Sequence, residues 1–351
     1  MAVSITSLSR KELHTALADF GPSYRADQVY RWLYHQGVRD PDSMTNIPSA
    51  MREAIRSQFP VTTPKQVQEQ VAQDGTVKTL MELPSGRRFE TVLIPDFNDD
   101  GTPRRMTVCV SSQVGCAMGC SFCATGQMGF LENLSSGDIF DQVWWAREEA
   151  ASRYQAPLTN IVFMGMGEPL LNVAAVEDVI EKITAEDGLG MASRRITVST
   201  VGLAKQIRNL AESGFRCNLA ISLHSPIDAK RSSIMPVNRS AKTDLESLMD
   251  AIQFYTKTTG RAVTYEYCMF DGFNDTREDA EALASLVARA PSKVNLIMYN
   301  SVDGLGFSRS PEMRLNDFIA VLVKRKVIVT VRRSRGQDID AACGQLAVQS
   351  S

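Results

Sequence analysis

The chain has 351 residues, 44% hydrophobic and 22% charged, with a net charge of -2. This is the composition of a globular protein; the longest apolar run near the C-terminus, 318–323, stops at Lys324-Arg325-Lys326, far short of the roughly 20 residues a membrane span needs. The seven cysteines, an odd set in a chain too large to depend on disulfide staples, suit a reducing cytoplasm where thiols serve chemistry or metal binding, and MAVSITSLSRKELHTALADF offers neither a signal peptide nor an anchor.

In chain order, Ser9 and Glu12 have capping-box spacing ahead of Leu13 and Leu17, which lie one helical turn apart. Val29, Trp32 and Leu33 repeat the pattern, and Met51, Ile55 and Phe59 mark a third helix opened by Pro48-Ser49. Residues 1–62 therefore read as a small helical domain. The period then changes. Residues 77–83 and 89–94 are β-rich and flank Pro84-Ser85-Gly86, which makes 63–101 a β-hairpin linker with an exposed tip at Asn98-Asp99-Asp100-Gly101. Strand candidates follow at 106–110, 160–164, 195–199, 218–223, 263–269, 294–299 and 327–331, separated by amphipathic stretches such as Ile139, Phe140, Val143 and Trp144 behind a Ser135/Asp138 cap. Alternating βα units with apolar strands predict an α/β fold with a parallel sheet covered by helices. About six units are fewer than the eight of a closed barrel, so residues 102–338 are expected to form a partial (βα)6 barrel, a doubly wound sheet having the same local signature. Residues 339–351 remain as a C-terminal segment.

The strongest chemical signal is Cys116-Ala117-Met118-Gly119-Cys120-Ser121-Phe122-Cys123, three thiols in one loop after the first core strand. Thiolates suit iron–sulfur clusters and zinc, but a structural zinc site takes four protein ligands and no second Cys pair stands nearby. Three ligands leave one iron of a [4Fe–4S] cluster open to a cosubstrate. Three buried cysteines acting as small hydrophobes are the bland alternative.

CxxxCxxC after the first strand of a partial barrel resembles the radical S-adenosylmethionine (SAM) superfamily. SSQVGCAMGCSFCATGQMGF, FMGMGEPLLN, ITVSTVG, ISLHSP, MPVN and DIDAACGQL together resemble the RlmN-type adenine-C2 RNA methyltransferases, as does YRADQVYRWLYHQGV with MTNIP near the N-terminus. The resemblance implies a [4Fe–4S] cluster on Cys116, Cys120 and Cys123, with SAM chelated to the open iron and two SAM used per turnover. It assigns Gly167, Glu168, Ser199, Ser222, Leu223, His224 and Asn300 to SAM. Without it, the MGMGEP segment has an ordinary βα turn as its alternative reading, and His224 alone reads as a satisfied core histidine. It also implies that Cys343 accepts a methyl group and then forms a covalent adduct with C2 of adenine. Cys109 would release the product by attacking Cys343 to form a transient disulfide, with Glu90 as proton acceptor. Residue pattern alone puts Thr107 and Cys109 on the more polar face of their strand and Glu90 on the face of Val92 and Ile94, where an acid is either salt-bridged or tuned as a base. Cys217 and Cys268 match no role and are expected in the core.

The expected substrates are 23S rRNA at the peptidyl transferase centre and tRNA beside the anticodon, with a flavodoxin-like electron donor and a monomeric state. Candidate phosphate contacts are Lys324, Arg325, Lys326, Arg332, Arg333 and Arg335, with Arg104/Arg105 and Arg194/Arg195, each cluster reading equally as a solvated surface. Tyr24, Tyr30 and Trp32 are candidate stacking surfaces. Two rivals remain: the sister family that methylates C8 of the same rRNA adenine, and a non-catalytic iron–sulfur carrier, which would need a fully ligated cluster and no SAM pocket.

Overall fold

A computed structural model describes residues 3–240 and 244–348; positions 1–2 and 349–351, the outer ends of the first and last predicted segments, lie outside the described residues. Three helices open the chain: α1 (Arg10–Leu17), α2 (Tyr24–Tyr34) and α3 (Ser49–Gln58). The Ser9 hydroxyl accepts from the Glu12 N–H and the Glu12 carboxylate accepts from the Ser9 N–H, which completes the expected capping box. Leu13, Leu17, Val29, Leu33, Met51 and Ile55 are all buried.

An antiparallel meander follows: β1 (Lys65–Val71), β2 (Val77–Glu82), β3 (Arg88–Phe97) and β4 (Pro103–Cys109). Two short strands, β5 (Gln113–Gly115) and β6 (Phe130–Asn133), bracket the cysteine loop and α4 (Ala124–Gln127). The chain then alternates α5 (Ser136–Tyr154), β7 (Asn160–Phe163), α6 (Val173–Thr184), β8 (Ile196–Thr200), α7 (Ala204–Glu212) and β9 (Asn218–Ser222). It continues with α8 (Asp228–Ile234), α9 (Val237–Ser240), α10 (Leu245–Thr259), β10 (Val263–Met269), α11 (Arg277–Val287), β11 (Ser292–Met298), α12 (Glu312–Lys324) and β12 (Val329–Arg332). One ten-stranded sheet results, ordered β1-β2-β3-β4-β7-β8-β9-β10-β11-β12, and its pairs from β4 to β12 are parallel. Six crossovers join those seven strands, as a (βα)6 unit with a closing strand requires. The sheet curls, because residues of β4 and β12, the ends of the parallel run, line one cavity. β1 was not anticipated: KQVQEQV is polar and wholly exposed, an edge strand with no apolar face to betray it.

The helical N-terminus is fastened to the outside of the barrel by polar contacts around an apolar seam. Lys182 on α6 is fully buried and donates to Asp178 (2.6 Å), the Ser136 hydroxyl (2.7 Å) and the Thr6 carbonyl (3.1 Å). Tyr34 donates to the same carbonyl at 3.0 Å and packs edge-on against Phe140. Arg10 spans Asp27 of α2 and Asp187 beyond α6. Among the described residues no helix is long and apolar enough to cross a membrane.

Candidate active site

The cysteine loop is shaped by close backbone approach. Gly115 has φ +72°, and a Cβ there would lie 1.9 Å from the Gly129 carbonyl oxygen, so a side chain would pry the β5–β6 hairpin open. Ser121 donates its N–H to the Ile234 carbonyl, and the Phe122 ring packs edge-on to His224 with centroids 4.9 Å apart. Burial pushes the Cys116 thiol up to about 12 and raises Cys120 and Cys123 as well. Bare, these thiols stay protonated; a bound cation is what makes buried thiolates affordable. The Thr125 and Gly126 N–H groups point at Cys123 and the Met118 N–H at Cys116, as ligating sulfurs require. Three thiols within one short loop suit an iron–sulfur core, which takes cysteine thiolates as its ligands.

Around this loop stand the C-terminal ends of the barrel strands. Gly167 has φ +100° and its Cβ would meet Gln113 at 2.6 Å, so only glycine passes there. Glu168 is buried; its carboxylate accepts from the Leu170 N–H (3.0 Å) and the Val201 N–H (2.8 Å), tying the end of β7 to that of β8. Burial raises its pKa to about 7. The Ser199 and Ser222 hydroxyls lie 3.3 Å apart on neighbouring strands. Leu223 is buried, and its carbonyl accepts from Arg231, an arginine wholly buried under the strand ends. His224 sits at φ +56°, and its Nδ1 accepts the Cys268 N–H at 3.0 Å, which fixes the remaining ring proton on Nε2. Desolvation lowers its pKa to about 3, so the imidazole is neutral. Asn300, buried just beyond the end of β11, grips the C-terminal segment: its side-chain N–H donates to the Cys343 carbonyl (3.5 Å) and its side-chain oxygen accepts from Gln337 (2.8 Å).

Strand register assembles the remaining group. Val92 of β3 pairs with Cys109 of β4 and with Lys78 of β2, so the three side chains share one face with Glu90, two residues along β3. The turn between β3 and β4 does not disturb this register: its tip is exposed, and the one bulge falls between Asp96 and Phe97, beyond the pairs that place Cys109. Glu90 is buried; one carboxylate oxygen lies 3.0 Å from the Lys78 ammonium and the other accepts the Ala347 N–H at 3.0 Å. Burial raises the Glu90 pKa, and Lys78 pulls against that shift. The C-terminal segment lies over this face as a strap. The Gly344 carbonyl accepts from the Ala124 N–H (2.8 Å), the Leu346 carbonyl from the Thr125 hydroxyl (2.5 Å), and Gln345 donates to the Ser301 carbonyl (2.9 Å). It divides the space in two. A cavity of about 330 Å³ holds Glu90 and Lys78, with Ala347 and Val348 in its wall. The other, of about 640 Å³, is the barrel interior, lined by Cys109, Arg332 and Cys343 with Leu346 in its wall.

Two residues here escaped the sequence reading. Lys78 reads as a surface residue of a hairpin, although the hairpin register alone would have put it diagonal to Glu90. Arg332, grouped by sequence with surface cations, points into the barrel: it donates to the Met164 sulfur at 3.4 Å, and Cys343, Glu266 and Cys109 act on its charge. Tyr30 is buried and offers no stacking surface, whereas Tyr24 is exposed. Cys217 is a core residue, as expected; Cys268 is also buried but close enough to Cys343 and Cys123 to feel their charge.

A curled parallel sheet with a three-cysteine loop after its first strand and polar groups on its strand ends defines a radical SAM enzyme, and the Radical SAM superfamily matches residues 110–287. Residues 3–61 match the ribosomal RNA large subunit methyltransferase N-terminal domain. The chain is 56% identical over 346 residues to a probable dual-specificity RNA methyltransferase RlmN of Salinibacter ruber, covering 98% of this chain and 94% of that protein. It is 42% identical over 350 residues to the dual-specificity RNA methyltransferase RlmN of Anaeromyxobacter dehalogenans, covering 98% and 92%. The crystal structure of a radical SAM methyltransferase from Sphaerobacter thermophilus superposes with a TM-score of 0.89 at 44% identity, covering 98% of this chain and 99% of that one. The chain belongs to the RlmN family of SAM-dependent RNA methyltransferases. Membership implies a [4Fe–4S] cluster and SAM as cofactors.

Proposed function

We propose that this enzyme methylates C2 of adenine in 23S rRNA and in tRNA, using Cys343 as the methyl carrier and two SAM per turnover. The supporting observation is the register that sets Glu90 and Cys109 on one face, with Cys109 and Cys343 lining one cavity. Cys116, Cys120 and Cys123 would hold the cluster, and Gly167, Glu168, Ser199, Ser222, Leu223, His224 and Asn300 would surround SAM. When bound, the cluster and SAM supply the one-electron chemistry that removes a hydrogen atom from the methyl group on Cys343. The chain's own residues do the rest. Cys343 takes a methyl group from SAM on its sulfur, and after hydrogen removal that carbon bonds to adenine C2. Glu90, 3.0 Å from the Lys78 ammonium, accepts the proton leaving C2, and the adduct's odd electron would return to the one-electron chemistry that the bound cluster supplies. Cys109, having lost its thiol proton, then attacks the Cys343 sulfur; the S–S bond forms as the bond from that sulfur to the methylene breaks, and the methylene keeps that bond's electron pair and takes up a proton to become the methyl group of the released base.

The same reading divides the chain into an RNA-binding unit at 1–62, a linker at 63–101, a radical SAM core at 102–338 and a methyl-carrying segment at 339–351. It has the enzyme acting as a cytoplasmic monomer reduced by a flavodoxin-like protein. The test is a pair of variants isolated from cells and run on denaturing gels with and without ribonuclease. Cys343→Ala has no sulfur to methylate and should leave RNA free; Cys109→Ala should carry RNA covalently attached. A Cys109→Ala protein without a ribonuclease-sensitive shift overturns the assignment. Mapping the methylated ring carbon in the product decides C2 against C8.

A further inference from the structure

The barrel cavity that holds Cys109 and Cys343 has an unusual mouth. Arg104 and Arg105 from the start of β4 and Arg335 from beyond β12 all converge on one carboxylate, Asp96, at the bulge of β3. Their side chains remain 62%, 56% and 39% exposed, so the shared acid gathers them without burying them. Lys293 and Arg333 line the same cavity and are exposed. Five cations thus line the rim with Asp96 as the acid among them, and Asp74 acts on Arg335 from outside the lining, which leaves the rim strongly cationic on a chain whose net charge is -2. The other acid in the lining, Glu266, is buried and hydrogen-bonded to Asn295. The remaining cationic clusters differ. Lys324, Arg325 and Lys326 close α12 away from the cavity, and Arg325 is paired with Glu281.

We infer that this rim is the phosphate clamp for the nucleotide whose base enters the barrel, so that RNA approaches the seam between β3, β4 and the segment after β12. An enzyme acting on a ring carbon must take the base out of its stack, and the extruded nucleotide then needs its phosphates held outside while its base reaches in. Depth agrees. Arg105 and Cys109 are four residues apart on one strand, about 13 Å, comparable with the reach of a nucleotide from phosphate to the far edge of its base. Three guanidiniums already aligned on one carboxylate are organised for oxygen anions, and planar forks match phosphate geometry. The inference rests on the function proposed above, since it takes RNA as the substrate and the Cys109–Cys343 cavity as its destination.

The experiment uses anaerobically purified holoenzyme and a transcribed 23S rRNA fragment spanning the peptidyl transferase centre. Three double variants are compared: Arg104→Gln/Arg105→Gln, Arg333→Gln/Arg335→Gln, and, as a control, Lys324→Gln/Lys326→Gln. Each rim pair should weaken binding about tenfold or more at physiological salt and lower the slope of log K against log [salt] by roughly 0.7 per lost contact. The KM for RNA should rise while 5′-deoxyadenosine release in the absence of RNA stays at the parent level. The control pair should match the parent. Rim variants with the parent's affinity and slope overturn the inference, as does an equal loss in the control. Loss of reduction by flavodoxin with RNA binding intact would give the rim to the electron donor instead. A parent enzyme that binds the fragment but leaves its adenine unmethylated counts against the proposed function, whereas a methylating parent with unaffected rim variants counts against the clamp alone.

Discussion

Lys182→Met should loosen the seam between the helical N-terminus and the barrel. Methionine keeps the length and the apolar stem, so packing changes little, but all three donors of the ammonium are lost. Asp178, whose side chain is 14% exposed, loses its 2.6 Å partner, and the Ser136 hydroxyl loses one at 2.7 Å. The Thr6 carbonyl is spared because Tyr34 still donates to it. Breaking a buried pair from one side costs about 3–5 kcal/mol. The unfolding entropy of globular proteins, about 2.1 cal/mol/K per residue, comes to about 0.7 kcal/mol/K for a chain of this length, so the midpoint should fall by about 4–7 °C. Scanning calorimetry of anaerobic holoenzyme measures it, and limited proteolysis should find new cuts among the first 60 or so residues before any in the barrel. A midpoint within about 1 °C of the parent would show that the ammonium's desolvation cancels its contacts and would refute the reasoning.

Glu168 gives a pH dependence of stability. Its folded pKa is raised to about 7, so its contribution is fully present below the ordinary carboxylate value and is lost as pH rises through 7, a swing of about 3 kcal/mol. Denaturant midpoints of Glu168→Gln should therefore gain on the parent between pH 5 and 8; parallel curves would contradict the shift. On the proposed route Cys109, which resolves the RNA adduct, gives product release a pH dependence. With its thiol pushed up to about 12, about one molecule in ten thousand carries the thiolate at pH 8, and decay of the RNA adduct should speed up about tenfold per pH unit. Timed quench onto denaturing gels follows it, and a rate flat between pH 7 and 9 would mean that bound RNA has already lowered the thiol's pKa.

How far the sequence carried depended on what each residue's signal was made of. All seven strands of the parallel run were legible because they are short, apolar and β-branched, a pattern that needs no knowledge of neighbours. The cysteine loop was legible because its three thiols are neighbours in sequence. Cys109 was placed on its polar face by alternation alone, but its relation to Glu90 needed a cross-strand register, which a loop of uncertain length obscures. Lys78 and Asp96 meet their partners across strand pairs, 12 and 8 or 9 residues along the chain, which local periodicity does not reveal without the register; Arg332 meets Glu266 and Cys109 only through the tertiary fold. β1 stayed hidden for the opposite reason: an exposed edge is selected for polarity and so reads as a loop.

The strap over Glu90 bears on how strongly RNA can bind. On the proposed route an adenine must reach both Glu90 and Cys109, and residues 344–347 lie between the two cavities, hydrogen-bonded to Ala124, Thr125, Ser301 and Glu90. If these contacts hold the strap down by a net 3 kcal/mol or so, about the worth of a few hydrogen bonds, roughly one molecule in 150 has it lifted at any instant. Measured affinity is then weaker than the intrinsic affinity of the open form by that same factor. A short oligonucleotide, contacting the cavity alone, bears the whole deficit. A large folded RNA can offset it with contacts made elsewhere on the protein, so the closed population itself screens substrates by size before any base is read.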